Sequence, residues 1–432
     1  HAMFFSASGE ARQRSGAVAA APAAAASAER RRGSGFGLFA VADFRRLWLI
    51  GLIVFAVRWL EMIVIGVFVY RETGSAFDVA MMTMLRMLPM AMFGALIGTF
   101  AERIERRTAL IAVLLSMFAT SLSLAVLAYA GHLAVWHLAV ASFVNGIAWA
   151  ADNPVRRVMI GDSVGADSMG AAMSIDVGAN NASRMLGPTI GGLLLAGAGI
   201  SGAFTASVAC YLVALAAAFR LSRRSTVAAA AGGSVLARLI EGLMLVRRDR
   251  RLIGILTITV IYNVFGWPFT SMIPVIGQDS LQLGPSGIGV LASMDGIGAF
   301  CGAVAIAVLA RPRHYARLYI GGVLSYQLLV IAFALMPHAV PAGGALLFTG
   351  LSSAGFSIMQ ATLVYLSAPI EMRSRIYGVL SVCIGVGPVG FLHLGLLAEL
   401  IGAPAATIAT ALEGLLAMAL TWRWWRVLLR PV

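Results

Sequence analysis

Residues 98–107 read GTFAERIERR and lie at the junction of two long apolar runs, at 77–100 and 108–130. A helix needs about 20 apolar residues to cross the hydrocarbon core of a bilayer, and each run is long enough. The decapeptide is rich in charged side chains, which hydrocarbon accommodates poorly, so it marks a connection at a membrane surface. The stretch therefore predicts two membrane-spanning helices joined on one side of the bilayer.

The same alternation of apolar runs and short charged connections continues along the chain. Of the 432 residues, 60% are hydrophobic and 12% charged, and the mean hydropathy is +0.88, which excludes an ordinary soluble protein. Because backbone groups in lipid must be hydrogen-bonded internally, we assign each run as a helix. The pattern predicts an all-α polytopic membrane protein with twelve transmembrane helices. They lie approximately at 46–70, 77–100, 108–130, 134–160, 170–197, 200–220, 252–276, 286–310, 318–336, 342–366, 376–400 and 403–424.

The arginines are distributed unevenly between the two sets of connections. Connections after the even-numbered runs carry almost all of them, whereas the opposite connections carry only Arg71. By the positive-inside rule, both termini are cytoplasmic and the number of spans is even. All basic residues are arginine, as in GC-rich bacterial genomes, so we expect a bacterial inner membrane protein. The net charge of +13 does not indicate nucleic acid binding, because the charges form short clusters between apolar runs.

The longest connection, 221–251, divides the spans into two sets of six. We therefore predict a disordered cytoplasmic tail at 1–43, six-helix bundles at 44–220 and 252–432, and a cytoplasmic linker at 221–251. Apolar residues at helical spacing within the linker predict an amphipathic helix. This helix lies either on the membrane surface or against the bundle, and the sequence does not choose between the two.

Internal repetition also supports two halves. Gly178, Gly187 and Pro188 in span 5 recur 200 residues later as Gly378, Gly387 and Pro388 in span 11. Parallel repeats of six spans predict two pseudo-symmetric bundles, related by an axis along the membrane normal.

The charged decapeptide resembles the loop motif of the major facilitator superfamily, which reads glycine–x–x–x–acid–arginine–x–glycine–arginine–basic. The positions that match are Gly98, Glu102, Arg103, Arg106 and Arg107. Glu102 replaces the usual aspartate of the motif, and Glu105 replaces its second glycine. The resemblance implies the major facilitator fold, in which arginines of this loop form charge-assisted hydrogen bonds with a nearby acid. We expect Arg103 or Arg106 to contact an acid near the cytoplasmic ends of spans 4 or 11, such as Asp152 or Glu371. The alternative is that the loop charges only set the topology.

Span 5 resembles the glycine–proline motif of major facilitator exporters at Gly187 and Pro188. Together with the stretches at 84–89 and 153–156, this motif is similar to the siderophore and multidrug exporter branch, the branch of the enterobactin exporter. The resemblance covers residues 38–430 and is clearest in the first half. It departs from the pattern in span 1, where Arg58 and Trp59 stand at small and acidic positions.

Six ionisable residues lie deep inside the predicted spans: Arg58, Glu61, Arg86, Asp176, Arg184 and Asp295. A charge at mid-bilayer costs about 2.5–3.5 kcal/mol, so such residues are usually functional or paired. Arg58 and Glu61 are three residues apart and can pair within one helix. Asp176, Asn180 and Arg184 make one polar stripe on span 5. If spans 1, 2, 5 and 8 meet, these residues line one cavity; the alternative is a set of structural ion pairs.

Softer polar candidates for the pathway are Asn263, Trp267 and Gln360, and His393 is a possible titrating group in span 11. The sequence contains no zinc-protease, phosphate-loop or nucleophile-elbow motif, so we expect neither an enzyme nor a bound metal or cofactor. Without a nucleotide site, transport must draw on an ion gradient or on the substrate gradient. The fold requires no second subunit, and we expect a monomer.

These observations predict a proton-coupled exporter of a small amphiphilic or anionic molecule, siderophore or drug-like, working by alternating access. Glu61 is the residue that we expect to carry the proton, with Asp295 in reserve. Arg58, Arg86 and Arg184 are expected to meet negative groups of the substrate. Two alternatives stay open: a lipid or lysolipid flippase of the same fold, and a membrane scaffold or receptor that transports nothing.

Overall fold

The structure is a computed structural model that describes residues 35–103, 105–222 and 235–430. Residues 1–34 of the predicted tail (1–43) and residues 223–234 of the predicted linker (221–251) lie outside these residues. Every regular element of the described chain is helical. The first half contains α1 (Ala42–Thr73), α2 (Ala76–Arg103), α3 (Arg106–Tyr129), α4 (Val135–Val164) and α5 (Met169–Phe219).

A short helix, α6 (Val235–Arg248), precedes the second half. The helices that follow are α7 (Arg250–Ile261), α8 (Ile273–Asp279), α9 (Pro285–Leu309), α10 (Tyr315–Leu335), α11 (Ala339–Ser367), α12 (Arg373–Ile384), α13 (Gly387–Ile401), α14 (Ala403–Leu420) and α15 (Trp422–Trp425). Between α7 and α8 the chain winds first more loosely, through a π-turn at Tyr262–Gly266, and then more tightly, through a 3-10 turn at Trp267–Met272. Span 7 is therefore an interrupted helix rather than a continuous one.

Ten helices in the described part of the chain are long and apolar enough to cross a membrane. The 51-residue α5 counts once among them, although at 1.5 Å per residue it is about 76 Å long, more than twice the hydrocarbon core. It bends at Gly199, whose φ of 68° is left-handed. The helix α4, which carries Asp152, Arg156 and Arg157, is not among the ten. The chain is thus an all-helical multi-pass membrane protein, and the number twelve stays a prediction.

Residues 35–43 are ordered, although we assigned them to the disordered tail. Gly35–Ala40 form a 3-10 helix, Leu38 is buried, and the ring of Phe39 lies edge-on to Trp48 at a centroid distance of 5.0 Å. These apolar contacts with α1 offset the conformational entropy that residues 35–43 lose when they become ordered.

The linker helix α6 packs against α12. A side chain at Gly242 would meet the Arg375 carbonyl oxygen at 2.8 Å, and Glu241 forms an ion pair of 2.8 Å with the Arg375 guanidinium. Val246 is buried, whereas Ile240, Leu243 and Met244 are exposed. Of the two positions that the sequence left open, the structure favours the bundle surface, with one apolar face of the helix uncovered.

Most of the arginine-bearing connections lie at one end of the molecule, which we call the arginine-rich end; the other is the arginine-poor end. The hydrogen bonds between the halves lie from mid-helix to the arginine-poor end. Tyr70 donates to Asp279, and the Ser75 hydroxyl donates to Glu399 at 3.1 Å. The first arm of α5, up to Gly199, also lies close against α9, since a side chain at Gly289 would collide with the Pro188 carbonyl oxygen. The structure is therefore closed at the arginine-poor end.

Gly289→Leu is expected to open that end. The leucine cannot fit against Pro188 unless the two helices separate, and overpacking of about 1–3 kcal/mol shifts a conformational equilibrium roughly 5- to 150-fold. The measurement is the distance between spin labels at positions 72 and 280, in a background without Cys210, Cys301 and Cys383. Gly197→Leu is the matched control, because a side chain there meets nothing within 4 Å. A distance distribution unchanged from wild type in Gly289→Leu would contradict the expectation.

Candidate functional site

The deep ionisable residues fall into two groups in the structure. The first group, which we call the polar centre, consists of Arg58, Glu61, Arg86, Arg184 and Asp295. The second, which we call the buried triad, consists of Asp152, Arg156 and Asp176. The sequence placed Asp176 in one stripe with Asn180 and Arg184, but the structure gives these three side chains different partners.

Glu61 is held entirely by the first half. Its carboxylate accepts a hydrogen bond from Ser121 at 2.9 Å and one from Asn145 at 3.4 Å, and lies 3.5 Å from the Arg86 guanidinium. The expected pairing with Arg58 is wrong. Four helices, α1 to α4, contribute to this arrangement, so the Glu61 carboxylate is fully buried and also fully partnered.

Arg58 points instead toward two indoles. Its guanidinium carbon lies 3.7 Å from the ring centroid of Trp149 on α4 and 5.6 Å from that of Trp59. Within the described residues it forms no ion pair and no hydrogen bond, and it stays partly exposed. Cation–π contact with an indole stabilises a desolvated guanidinium but leaves its hydrogen-bond donors unused. Arg58 can therefore bind an acceptor group brought by a ligand.

Arg184 and Asp295 join the two halves at the centre of the molecule. Two nitrogens of the Arg184 guanidinium on α5 bind Oδ2 of Asp295 on α9, one of them at 3.1 Å. Nearby, the Thr189 hydroxyl donates to Ser293 at 2.7 Å. The second carboxylate oxygen of Asp295, Oδ1, is buried and has no hydrogen-bond partner among the described residues. An orphaned acceptor of this kind can take a proton or a donor group of a ligand.

The tryptophan beside Arg58 connects these groups. Trp59 donates to the side chain of Asn180 at 3.4 Å, and the Arg184 guanidinium carbon lies 5.6 Å from the Trp59 ring. With all groups ionised, the polar centre has three positive and two negative charges. The uncompensated charge is positive, and Arg58 is the guanidinium that lacks an acid.

The softer candidates belong to the packing of the second half. Asn263 donates to the Thr259 carbonyl at 2.9 Å, and Gln360 donates to the Thr259 hydroxyl at 2.9 Å. Trp267 lies edge-on to Phe391. His393 binds Glu413 at 2.6 Å, between α13 and α14 and away from the polar centre. The structure therefore brings none of these side chains into hydrogen-bonding contact with the five charged ones.

Sequence reasoning missed two important contacts of the polar centre. Trp149 could have been found, because it lies one helical turn after Asn145 on α4 and therefore on the same face. Ser121 gave no signal, since serine is common in membrane helices.

The buried triad lies on the arginine-rich side of the polar centre. Arg156 binds Asp152 at 3.2 Å and also binds Asp176, and none of the three side chains is exposed by more than 1%. Arg157 is half exposed and lies 4.0 Å from Asp176. The guanidinium of Arg156 fills the space beside Gly51, where an added side chain would collide with it. The triad ties α4 to α5 and to the start of α1.

The loop motif makes contacts within the first half. Arg106 forms an ion pair with Asp162 at the end of α4, rather than with the candidates Asp152 or Glu371. Arg107 donates to the carbonyl of Phe219 at 2.7 Å, which satisfies a free acceptor at the end of α5. Asp152 is fully buried and binds Arg156 instead of a described arginine of the loop. The side chains of Glu102 and Arg103 and the surroundings of Gly98 lie outside the described part.

Gly187 serves close helix packing inside the first half. A side chain at Gly187 would meet Cβ of Trp59 at 2.7 Å, so this glycine allows α5 to approach α1. Pro188, the next residue, lies against Gly289 of the second half. Among the described residues there is no group of three or more side chains suited to hold a metal ion.

Sequence comparison identifies a family for almost the whole chain. The family model described as transmembrane secretion effector, from the major facilitator superfamily, matches residues 33–428. Macrolide efflux protein A of Streptococcus pyogenes is 21% identical over 346 residues, covering 77% of this chain and 83% of that protein. Multidrug efflux pump Tap of Mycolicibacterium fortuitum is 25% identical over 386 residues, covering 85% of this chain and 90% of that protein. The matches are transport proteins and not enzymes.

Solved structures of transporters share the fold. The nucleoside transporter NupG superposes with a TM-score of 0.72 and 12% identity over 90% of this chain and 99% of that chain. A bacterial homologue of the human lysosomal transporter Spinster, in an inward-facing and unoccupied conformation, superposes with a TM-score of 0.69 and 15% identity. The match covers 90% of this chain and 97% of that chain. At these identities the likeness establishes the fold alone.

Proposed function

Because the chain belongs to the transmembrane secretion effector family of the major facilitator superfamily, we propose that it is a proton-coupled exporter of small amphiphilic molecules. The observation that carries the proposal is Arg58, a guanidinium near the middle of α1 that is stacked on Trp149 and has no acid partner among the described residues. A charge at this depth is costly, so such a residue is usually either functional or paired with an acid, and Arg58 has no such pair.

The ligand that fits this site has two features. It carries an acceptor group, such as a carboxylate, phenolate or carbonyl oxygen, for the free donors of Arg58. It also has an aromatic or apolar body that lies against Trp59 and Trp149. Drug-like amphiphiles and siderophores both meet this description, and the efflux proteins among the relatives favour the drug-like class.

Asp295 is the better-supported site for the coupling proton. All contacts of Glu61 come from the first half, so they persist if each half moves as a rigid body. The contact between Arg184 and Asp295 crosses the halves and must change when they move. A donor group of the substrate and a proton compete for the orphaned Oδ1, and this competition is what exchange of one for the other requires.

The orientation and the span count complete the proposal. The arginine-rich end faces the cytoplasm, following the positive-inside rule, and both termini lie there. Twelve spans cross the bacterial inner membrane in two bundles of six, and one chain suffices. The conformation closed at the arginine-poor end then binds substrate from the cytoplasm, and separation of α5 from α9 releases it outside.

Arg58→Gln tests the binding site. Hydrogen bonds to charged groups contribute about 1.5–3 kcal/mol, so Kd is expected to rise roughly 10- to 150-fold. Binding of macrolides and of anionic amphiphiles is followed by quenching of tryptophan fluorescence, since Trp59 and Trp149 flank the site. Thermal stability should change little, because no acid is left unpaired. Arg423→Gln, an exposed arginine far from the site, is the control. Equal affinities in wild type and Arg58→Gln would refute the proposed role.

A further inference from the structure

A groove opens between α9 and α10 on the side of the second half. It has a volume of about 450 Å³, with α11 as its floor, and occupies the half of these helices nearest the arginine-rich end. The residues that create it are small: Gly302 and Ala305 on α9, Gly321 on α10, and Ser352 and Gly355 on α11. An added side chain at Gly321 would meet nothing within 4 Å, so this glycine faces open space.

A second cavity adjoins the groove at the arginine-rich end. It has a volume of about 720 Å³ and is lined by four arginines, Arg251, Arg313, Arg317 and Arg430. Arg317 lines both cavities, which places the polar cavity at the mouth of the apolar groove. We call the apolar cavity the groove and the arginine-lined cavity the arginine bowl.

The arginine bowl is poor in negative charge. Its one acid among the described residues, Asp249, already accepts the backbone N–H groups of Arg251 and Leu252 at the start of α7. The sequence contains no Asp or Glu between Asp295 and Glu371. Within the described chain, none of the four guanidiniums forms an ion pair, and Arg313 only donates to His314 at 3.1 Å. Unpaired guanidiniums gathered in this way are suited to a phosphate group.

The dimensions of the groove match one leaflet of a bilayer. It runs from His314, the residue before α10, to Ser325 on α10, which is about 16 Å at 1.5 Å per residue. Half of a hydrocarbon core is about 15 Å. The groove faces lipid, since Val308 and Leu309 beside it are more than 70% exposed. An acyl chain in the groove would therefore end near the bilayer centre, with its headgroup at the arginines.

We propose that the groove and the arginine bowl bind one anionic phospholipid from the leaflet at the arginine-rich end. Its phosphate lies between Arg313 and Arg317, and one acyl chain fills the groove beside Gly321. This site is separate from the polar centre, so it is additional to the transport function proposed above. Cardiolipin is the strongest candidate, because two phosphates engage more of the four arginines than one.

The test measures retention of tetraoleoyl cardiolipin against dioleoyl phosphatidylcholine by native mass spectrometry of the full-length protein, with thermal unfolding in parallel. Wild type is expected to retain one cardiolipin in preference and to unfold at a higher temperature with it. Each basic group near anionic lipid contributes about 1 kcal/mol, so the double variant Arg313→Gln/Arg317→Gln should weaken cardiolipin retention roughly 30-fold. Gly321→Trp should expel both lipids, because the indole fills the groove.

Two controls make the result specific. Gly344→Trp is a matched glycine replacement on α11, also with open space around the added side chain but outside the groove. Arg423→Gln removes an arginine of the same end that does not line the bowl. Both should retain cardiolipin as wild type does. Unaltered retention in Gly321→Trp and in the double arginine variant would overturn the proposal. It would also be overturned if wild type retained phosphatidylcholine as well as it retains cardiolipin, since the arginines would then not select an anionic headgroup.

Discussion

Arg156→Met is expected to destabilise the protein by about 3–5 kcal/mol, which is a large share of the total stability of most proteins. The guanidinium is fully buried between Asp152 and Asp176, and its removal leaves two carboxylates without a counter-charge in a site that water does not reach. Methionine fills much of the volume, so the loss comes from charge and not from a cavity. Equilibrium unfolding in mixed micelles measures the effect.

Two further variants separate the charge effect from packing. Arg157→Met removes the neighbouring arginine, which is half exposed, and should cost less than about 1 kcal/mol. The triple variant Asp152→Asn/Arg156→Met/Asp176→Asn leaves no charge at the three positions of the buried triad and should recover most of the stability. If Arg156→Met and Arg157→Met cost the same, the triad does not tie α4 to α5 as described.

Much of the helical architecture could be predicted, because hydrocarbon imposes a length and an apolar composition on each helix. The predicted run at 286–310 corresponds to α9, Pro285–Leu309. The interruption of span 7 was not predicted, although Pro268 inside the run is a local signal for it, because proline has no N–H to donate to the preceding turn. The predicted end of the disordered tail, at residue 43, was also wrong. Leu38 and Phe39 are ordered by their contacts with α1, which the sequence of the tail does not reveal.

The charged positions of the site could be found from the sequence, but their pairing could not. An intramembrane charge stands out against an apolar run, which is how Arg58, Glu61 and Asp295 were identified. Spacing within one helix suggested Arg58 with Glu61, yet the preferred partner of Glu61 is Arg86 on α2. Contacts between helices depend on rotation and depth, and a single sequence carries little information on either. Arg106 binds an acid, as predicted, but its partner is Asp162 and neither of the two acids that we named. The partner was misidentified for the same reason.

Asp295→Asn is expected to abolish the use of a proton gradient, with a loss of concentrative transport of at least tenfold. Asparagine still offers an acceptor oxygen to Arg184 but cannot take up a proton at Oδ1. Exchange of substrate across the membrane without a gradient should therefore survive. Glu61→Gln is the matched control, because its amide oxygen still accepts from Ser121 and its contacts lie inside the first half.

The most direct test of the whole account is accumulation of a bound ligand in proteoliposomes under an imposed pH gradient, with gradient-free exchange recorded in the same preparation. The ligand is one that quenches the fluorescence of wild type but binds weakly to Arg58→Gln. The account predicts that wild type and Glu61→Gln concentrate this ligand when the gradient is applied, whereas Asp295→Asn only equilibrates it. Concentration by Asp295→Asn to the wild-type level, or its loss in Glu61→Gln alone, would contradict the account.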